Sequence, residues 1–187
     1  MAALASGCCI YTIDSFIPRR VLKIVQQNKV TILIMVPAIA RALWNTYSKE
    51  TYDLSSLRIA LVGAGAITEE LYDGFKDRYG IALMSNYGST ETGGIVSRLE
   101  PLPLESIGKP MDGVEIKLCN EEGMRVPEGE EGEIRVKCEA MLIGYLGEKE
   151  VPFDESGFFP TGDIAVQDAD GYLYIKGSKK LMINVGG

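Results

Sequence analysis

The stretch LRIALVGAGAITEELYDGFKDRYGIALMSNYGSTETGG, Leu57–Gly94, decides the fold. LRIALV (Leu57–Val62) is a short apolar run of the kind that a buried strand shows, and it ends at the turn GAGAIT. Thr68 can cap the segment EELYDGFKDRYG, where Glu69 and Glu70 suit the positive end of a helix and Gly80 supplies the stop. IALMS (Ile81–Ser85) is the next strand and feeds directly into NYGSTETGG.

The same grammar runs upstream. IPRRVLKIVQQNKV opens on Pro18 and places Val21, Leu22, Ile24 and Val25 at partly helical spacing, which predicts a helix to Asn28. VTILIMV (Val30–Val36) reads as a strand covered on both faces, and Pro37 opens a further helix in AIARALWNTY. Alternating helices and strands predict an α/β layer with parallel strands, and such sheets bind ligands in the loops at their strands' C-terminal ends. GAGAIT and NYGSTETGG both sit at such ends.

Beyond Glu100 the pattern changes. GVEIKLCNEEGMRVPEGEEGEIRVKCEAMLIGYL alternates apolar and polar residues between glycine-rich turns, and IAVQDADGYLYIKG reads as a hairpin around Asp170-Gly171. The expected architecture is a partial parallel-stranded α/β layer over residues 1–100, followed by a small antiparallel β-barrel-like subdomain over 101–176.

Composition narrows the chemistry. The 187 residues are 46% hydrophobic and 24% charged, as in an ordinary globular protein. A net charge of −7 argues against a general nucleic-acid binder. VTILIMV is too short to span a bilayer, and the apolar start lacks a basic leader region, so a cytoplasmic protein without an integral membrane segment is expected. Cys8, Cys9, Cys119 and Cys138 have no C-x-x-C spacing, and the adjacent pair is expected to be buried rather than bridged. With no histidine, Ser-His-Asp and Cys-His catalysis drop out.

Each loop has two readings. GAGAIT is either a tight strand-to-helix turn or part of a dinucleotide fingerprint; the latter lacks its third glycine and the acidic residue expected about 20 residues on. YGSTETGG is either an ordinary polar loop or an anion and Mg²⁺ site, with Ser89, Thr90 and Thr92 offering hydroxyls and Glu91 a carboxylate. It is not a P-loop, because no Lys-Ser/Thr follows the glycines. Asp163 in TGD is either a turn cap or an acceptor for a ribose diol.

Taken together, NYGSTETGG, GEIRVKCEAMLIGYL and GFFPTGDIAVQDADGYLYIKG, in that order, resemble the AMP-forming adenylating enzymes: acyl-CoA synthetases, luciferases and the adenylation domains of peptide synthetases. VTILIMVPAIARAL and SIGKPMDGVEIKL fit the acyl-CoA synthetases best. The resemblance implies that Gly63, Ala64, Gly65 and Ala66 border the adenine and acyl pocket, and that Asn86, Tyr87, Gly88 and Ser89 lie along the nucleotide, with Tyr87 stacked on adenine. It further implies that Thr90 bonds the α-phosphate, Glu91 holds Mg²⁺ and Asp163 takes the ribose hydroxyls, which makes Thr90 and Glu91 the catalytic pair. ATP or AMP, Mg²⁺ and a carboxylic acid are the implied ligands, with CoA as co-substrate. Trp44, Ile67, Gly93 and Ile95 are expected to line the acyl pocket, and residues 177–187 to form a hinge toward a small C-terminal domain.

The chain departs from that pattern in three places. No lysine-ended phosphate loop occurs in Met1–Glu50, the sequence ends at the hinge, and Ser178 stands where the family carries an arginine that touches the nucleotide. Lys176 or Lys179 is a candidate to offset part of that lost charge, and Lys180 falls at the hinge position. The expectation is therefore an internal segment of an acyl-CoA-synthetase-like enzyme, inactive alone and prone to self-association or to pairing with complementary segments. Two other readings stand beside it: a non-catalytic nucleotide-binding or scaffold module, and a Rossmann-type oxidoreductase.

Overall fold

The computed structural model describes residues 2–47, 51–99, 103–148 and 152–179; the hinge residues Lys180–Gly187 lie outside them. A short helix α1 (Ala2–Ala5) precedes α2 (Pro18–Asn28), β1 (Ile32–Met35), α3 (Pro37–Trp44), β2 (Ile59–Gly63), α4 (Glu69–Tyr79) and β3 (Leu83–Ser89). The expected helix boundaries follow from local chemistry. Pro18 and Pro37 open α2 and α3, where a missing N–H costs nothing. Thr68 Oγ1 accepts from Leu71 N at 3.3 Å, and Gly80, at φ 71°, ends α4 in the left-handed region.

Strands β1, β2 and β3 are parallel and adjacent, and the register sets Val62 beside Ser85 and Gly63 beside Asn86. Helices α2, α3 and α4 bury Leu22, Val25, Leu43, Leu71 and Phe75 against one face of this sheet, together with Met35, Ala60, Val62 and Leu83. The opposite face of β1 is open: Ile32 is 43% and Ile34 71% exposed. The expected two-sided burial of VTILIMV is thus corrected, because all three helices lie on a single face.

The expected end of the third strand at Ser85 is also corrected. β3 continues to Ser89 and turns back antiparallel as β4 (Gly93–Arg98), which in turn pairs with β5 (Lys109–Pro110). NYGSTETGG is therefore a hairpin, with a register shift between Tyr87 and Gly88. A Cβ on Gly88 would lie 1.9 Å from Gly93 O, so only glycine admits this approach.

The second half is a four-stranded antiparallel sheet in the order β6 (Glu115–Cys119), β7 (Gly132–Lys137), β8 (Phe159–Gln167) and β9 (Leu173–Ser178). The expected hairpin at Asp170-Gly171 joins β8 to β9, with Asp168 Oδ1 accepting from Tyr172 N at 2.8 Å. Among the described residues no pairing of β6 with β9 closes this sheet into a barrel.

Ile95 and Val96 of β4 pack into one apolar cluster with Ile134, Val136, Phe159, Ala165 and Leu173. Main-chain bonds join the two halves: Ile107 N donates to Leu173 O at 2.9 Å, and Leu173 N donates to Gly108 O at 2.9 Å. Cys8 and Cys9 are exposed, which corrects the expectation of buried thiols. Among the described residues no helix is long and apolar enough to cross a membrane.

Candidate functional site

Parallel pairing brings the sequence-predicted residues together. The Gly63–Asn86 register places GAGA, at the C-terminal end of β2, beside the start of NYG within β3. Ala64 sits at φ 60°, a left-handed conformation that costs a non-glycine residue roughly 1 kcal/mol. Gly65 lies against Pro37, where a Cβ would fall 2.9 Å from Pro37 Cγ. Ala64, Gly65 and Ala66 are exposed, so this edge offers backbone to a ligand.

The hairpin tip is ordered by its own side chains. Thr92 is buried; its Oγ1 accepts from Ser89 N at 3.1 Å and donates to Gly93 O at 3.0 Å. Ser89 Oγ accepts from Glu91 N at 3.2 Å. Thr90 is exposed at the apex between them.

Residues from the second sheet then reach this tip. The Tyr87 hydroxyl donates to Asp163 Oδ2 at 2.6 Å, across 76 residues of sequence. Burial first, and then the Asp163 carboxylate, push the Tyr87 hydroxyl far above its ordinary value, so it stays a donor. Asp163 is held from its other end as well: its N–H donates to Thr161 Oγ1 at 3.1 Å, and that hydroxyl donates to Ile134 O at 2.9 Å.

Sequence reasoning missed how the segment MLIGY docks on the hairpin. Leu142 N donates to Glu91 O at 2.7 Å, and the Tyr145 hydroxyl donates to Glu91 Oε1 at 3.1 Å. The available signal was the order of the motifs, since MLIGY lies inside one of the three stretches that carry the resemblance.

The proposed acyl-pocket residues are dispersed. Trp44 packs on α4, where a Cβ on Gly74 would lie 2.2 Å from the Trp44 ring. Ile67 belongs to the helical core and Ile95 to the second apolar cluster, which leaves Gly93 as the exposed member of the four. Ser178 lies opposite Asp163 on the neighbouring strand, and its hydroxyl donates to Gly162 O at 3.3 Å. Lys179 Nζ sits 3.3 Å from Glu133 Oε2. A cleft of about 420 Å³ is lined by Arg135, Tyr145, Phe153, Asp154 and Phe159, and Tyr145 links it to Glu91.

Known proteins share this fold. The chain is 33% identical over 193 residues to a feruloyl-CoA synthase of an Amycolatopsis species, covering 100% of this chain and 39% of that one. It superposes on an anthranilate CoA ligase in complex with anthranoyl-AMP with a TM-score of 0.82 at 29% identity, covering 96% of this chain and 36% of that one. For a luciferase-like enzyme of the mealworm Zophobas morio the TM-score is 0.87 at 28% identity, over 94% of this chain and 45% of that one. The chain thus spans less than half the length of each. Residues 1–146 match the AMP-binding enzymes, a span that takes in GAGA, the NYGSTETGG hairpin and the docked MLIGY segment, and the chain belongs to that family.

Proposed function

We propose that this chain carries part of the ATP and acyl site of an acyl-CoA synthetase, which joins a carboxylic acid to CoA through an acyl-AMP. The observation that supports this reading best is the 2.6 Å contact between Tyr87 and Asp163, which unites NYG and TGD beside the GAGA turn. An adenosine laid along that edge meets Asn86, the Tyr87 ring and the Gly63–Ala66 backbone, while its ribose meets Asp163.

In adenylation a carboxylate oxygen attacks the α-phosphorus of ATP, the bond from phosphorus to the bridging oxygen breaks, and pyrophosphate leaves. A thiol, that of CoA, then displaces AMP from the acyl-AMP. The protein's part in the first step is positioning and charge neutralisation. Thr90 and its neighbouring backbone at the hairpin tip present donors to the α-phosphate, with Gly88 and Ser89 shaping the approach. Glu91 is a partly exposed carboxylate that accepts from Tyr145 through Oε1, and a single carboxylate fits Mg²⁺, a cation that takes its other ligands from water and substrate phosphates. When bound there, Mg²⁺ would offset phosphate charge. Among the described residues no group of three or more His, Cys, Asp or Glu gathers, at Glu91 or elsewhere.

The 187 residues alone are proposed not to complete this reaction, since they correspond to 39% of a full-length relative. Cytoplasmic location, a domain division at residues 100 and 176, and self-association through the open face of β1 belong to the same proposal. Aromatic acids are the first substrates to test, given the feruloyl-CoA synthase and the anthranilate ligase among similar proteins. A second reading, a nucleotide-binding module without catalysis, draws support from Ser178 at the position where the family has arginine.

The experiment is to incubate the chain with ATP, Mg²⁺, CoA and ferulate, alone and with the complementary segments of a related synthetase. Product only in the supplemented reaction is expected. Product from the chain alone contradicts the inactivity, and AMP binding without product in either reaction favours the non-catalytic module.

A further inference from the structure

The Tyr87 hydroxyl and the Asp163 carboxylate come from different sheets, and each is fixed by more than its mutual contact. Tyr87 stands at the register shift of the β3–β4 hairpin, against Val96. Asp163 is anchored through Thr161 to the β7 carbonyl of Ile134. A carboxylate has about four acceptor positions on two oxygens, and a single-bonded side chain would otherwise rotate among them. The hydroxyl occupies Oδ2 at 2.6 Å, in the range of a charge-assisted bond. With Oδ2 engaged by Tyr87, Oδ1 is the oxygen left to accept from a diol.

We infer that Tyr87 is a positioning residue for sugar recognition: its hydroxyl locks the Asp163 carboxylate in the orientation that accepts a ribose cis-diol, a role separate from any contact between its ring and the base. This inference rests on the nucleotide-site reading above.

The test compares AMP with 2′,3′-dideoxyadenosine monophosphate on the whole chain, in wild type and in Tyr87→Phe, which keeps the ring and removes one oxygen. The expected result is a loss of about 5–10-fold in AMP affinity with less than about a 2-fold change for the dideoxy nucleotide. In an Asp163→Asn background, Tyr87→Phe should change AMP affinity no further. An equal loss for both nucleotides, or no loss for AMP, overturns the inference and leaves the nucleotide site standing. A Tyr87→Phe chain that melts also overturns it, because the hydroxyl would then be holding the fold. Failure of the wild-type chain to bind AMP overturns both readings together.

Discussion

Lys179 Nζ lies 3.3 Å from Glu133 Oε2, and Glu133 is in turn 3.7 Å from Arg135 Nε. The lysine that follows Ser178 is therefore paired with a carboxylate of β7. This pairing weighs against Lys179 standing in for the arginine expected at position 178.

A substitution at that position follows directly. Ser178 faces Asp163 across β8 and β9, so an arginine there can reach the nucleotide that Asp163 is proposed to hold. Ser178→Arg should tighten AMP binding by about 3–10-fold, the effect of one added hydrogen bond to a charged group in partly solvated surroundings. Lys179→Met should leave AMP affinity unchanged and lower stability by about 1 kcal/mol, because Glu133 is nearly buried and loses a cation. Titration of both variants alongside urea unfolding separates the two effects.

Asp154 sets a dependence on acid. Desolvation works to raise its carboxyl, but the Phe158 N–H, Lys117, Arg135 and the Ser156 N–H together outweigh it and hold the group well below its ordinary value of 3.8. Lys117 Nζ and an Arg135 guanidinium nitrogen each lie 3.0 Å from Asp154 Oδ2. Because the folded value lies below the unfolded one, the stabilisation is fully present above about pH 4 and is lost as pH falls toward the folded value. Urea midpoints of wild type and Asp154→Asn should thus differ at pH 7 and converge as the pH drops below about 4. A gap that stays constant across that range would mean the carboxylate's charge is not what stabilises the loop.

The open face of β1 predicts association. Ile32 and Ile34 present branched apolar side chains on an edge strand, the arrangement that invites pairing with another chain. Ile34→Lys should shift the chain toward monomer in light scattering at high concentration, with helical signal unchanged. A wild-type chain that is already monomeric at high concentration removes this prediction.

Much of this fold was legible where the chemistry is local. The Thr68 cap, the Gly80 stop and the prolines opening α2 and α3 act within one turn of themselves, and each marks a boundary. β3 was read four residues short because Asn86–Ser89 are polar and glycine-bearing; they extend only because β4 pairs with them. Trp44 packs over Gly74 of another helix, a contact that no local spacing announces. The contacts that assemble the site are long-range in the same way: Tyr87 with Asp163 and Glu91 with Tyr145 are 76 and 54 residues apart. The motifs named these residues, while which pairs touch depended on how the two sheets meet.

Calorimetric titration of the chain with AMP and with Mg²⁺-ATP, beside Asp163→Ala, tests the central claim most directly. Asp163 is half-buried and already bonded to Tyr87, so the substitution removes one carboxylate while leaving the Thr161 and Ile134 anchors in place. The account predicts saturable AMP binding by the wild-type chain and its loss, by about 10-fold or more, in Asp163→Ala. A folded wild-type chain that binds neither nucleotide, or an Asp163→Ala chain that binds AMP as well as wild type, would contradict it.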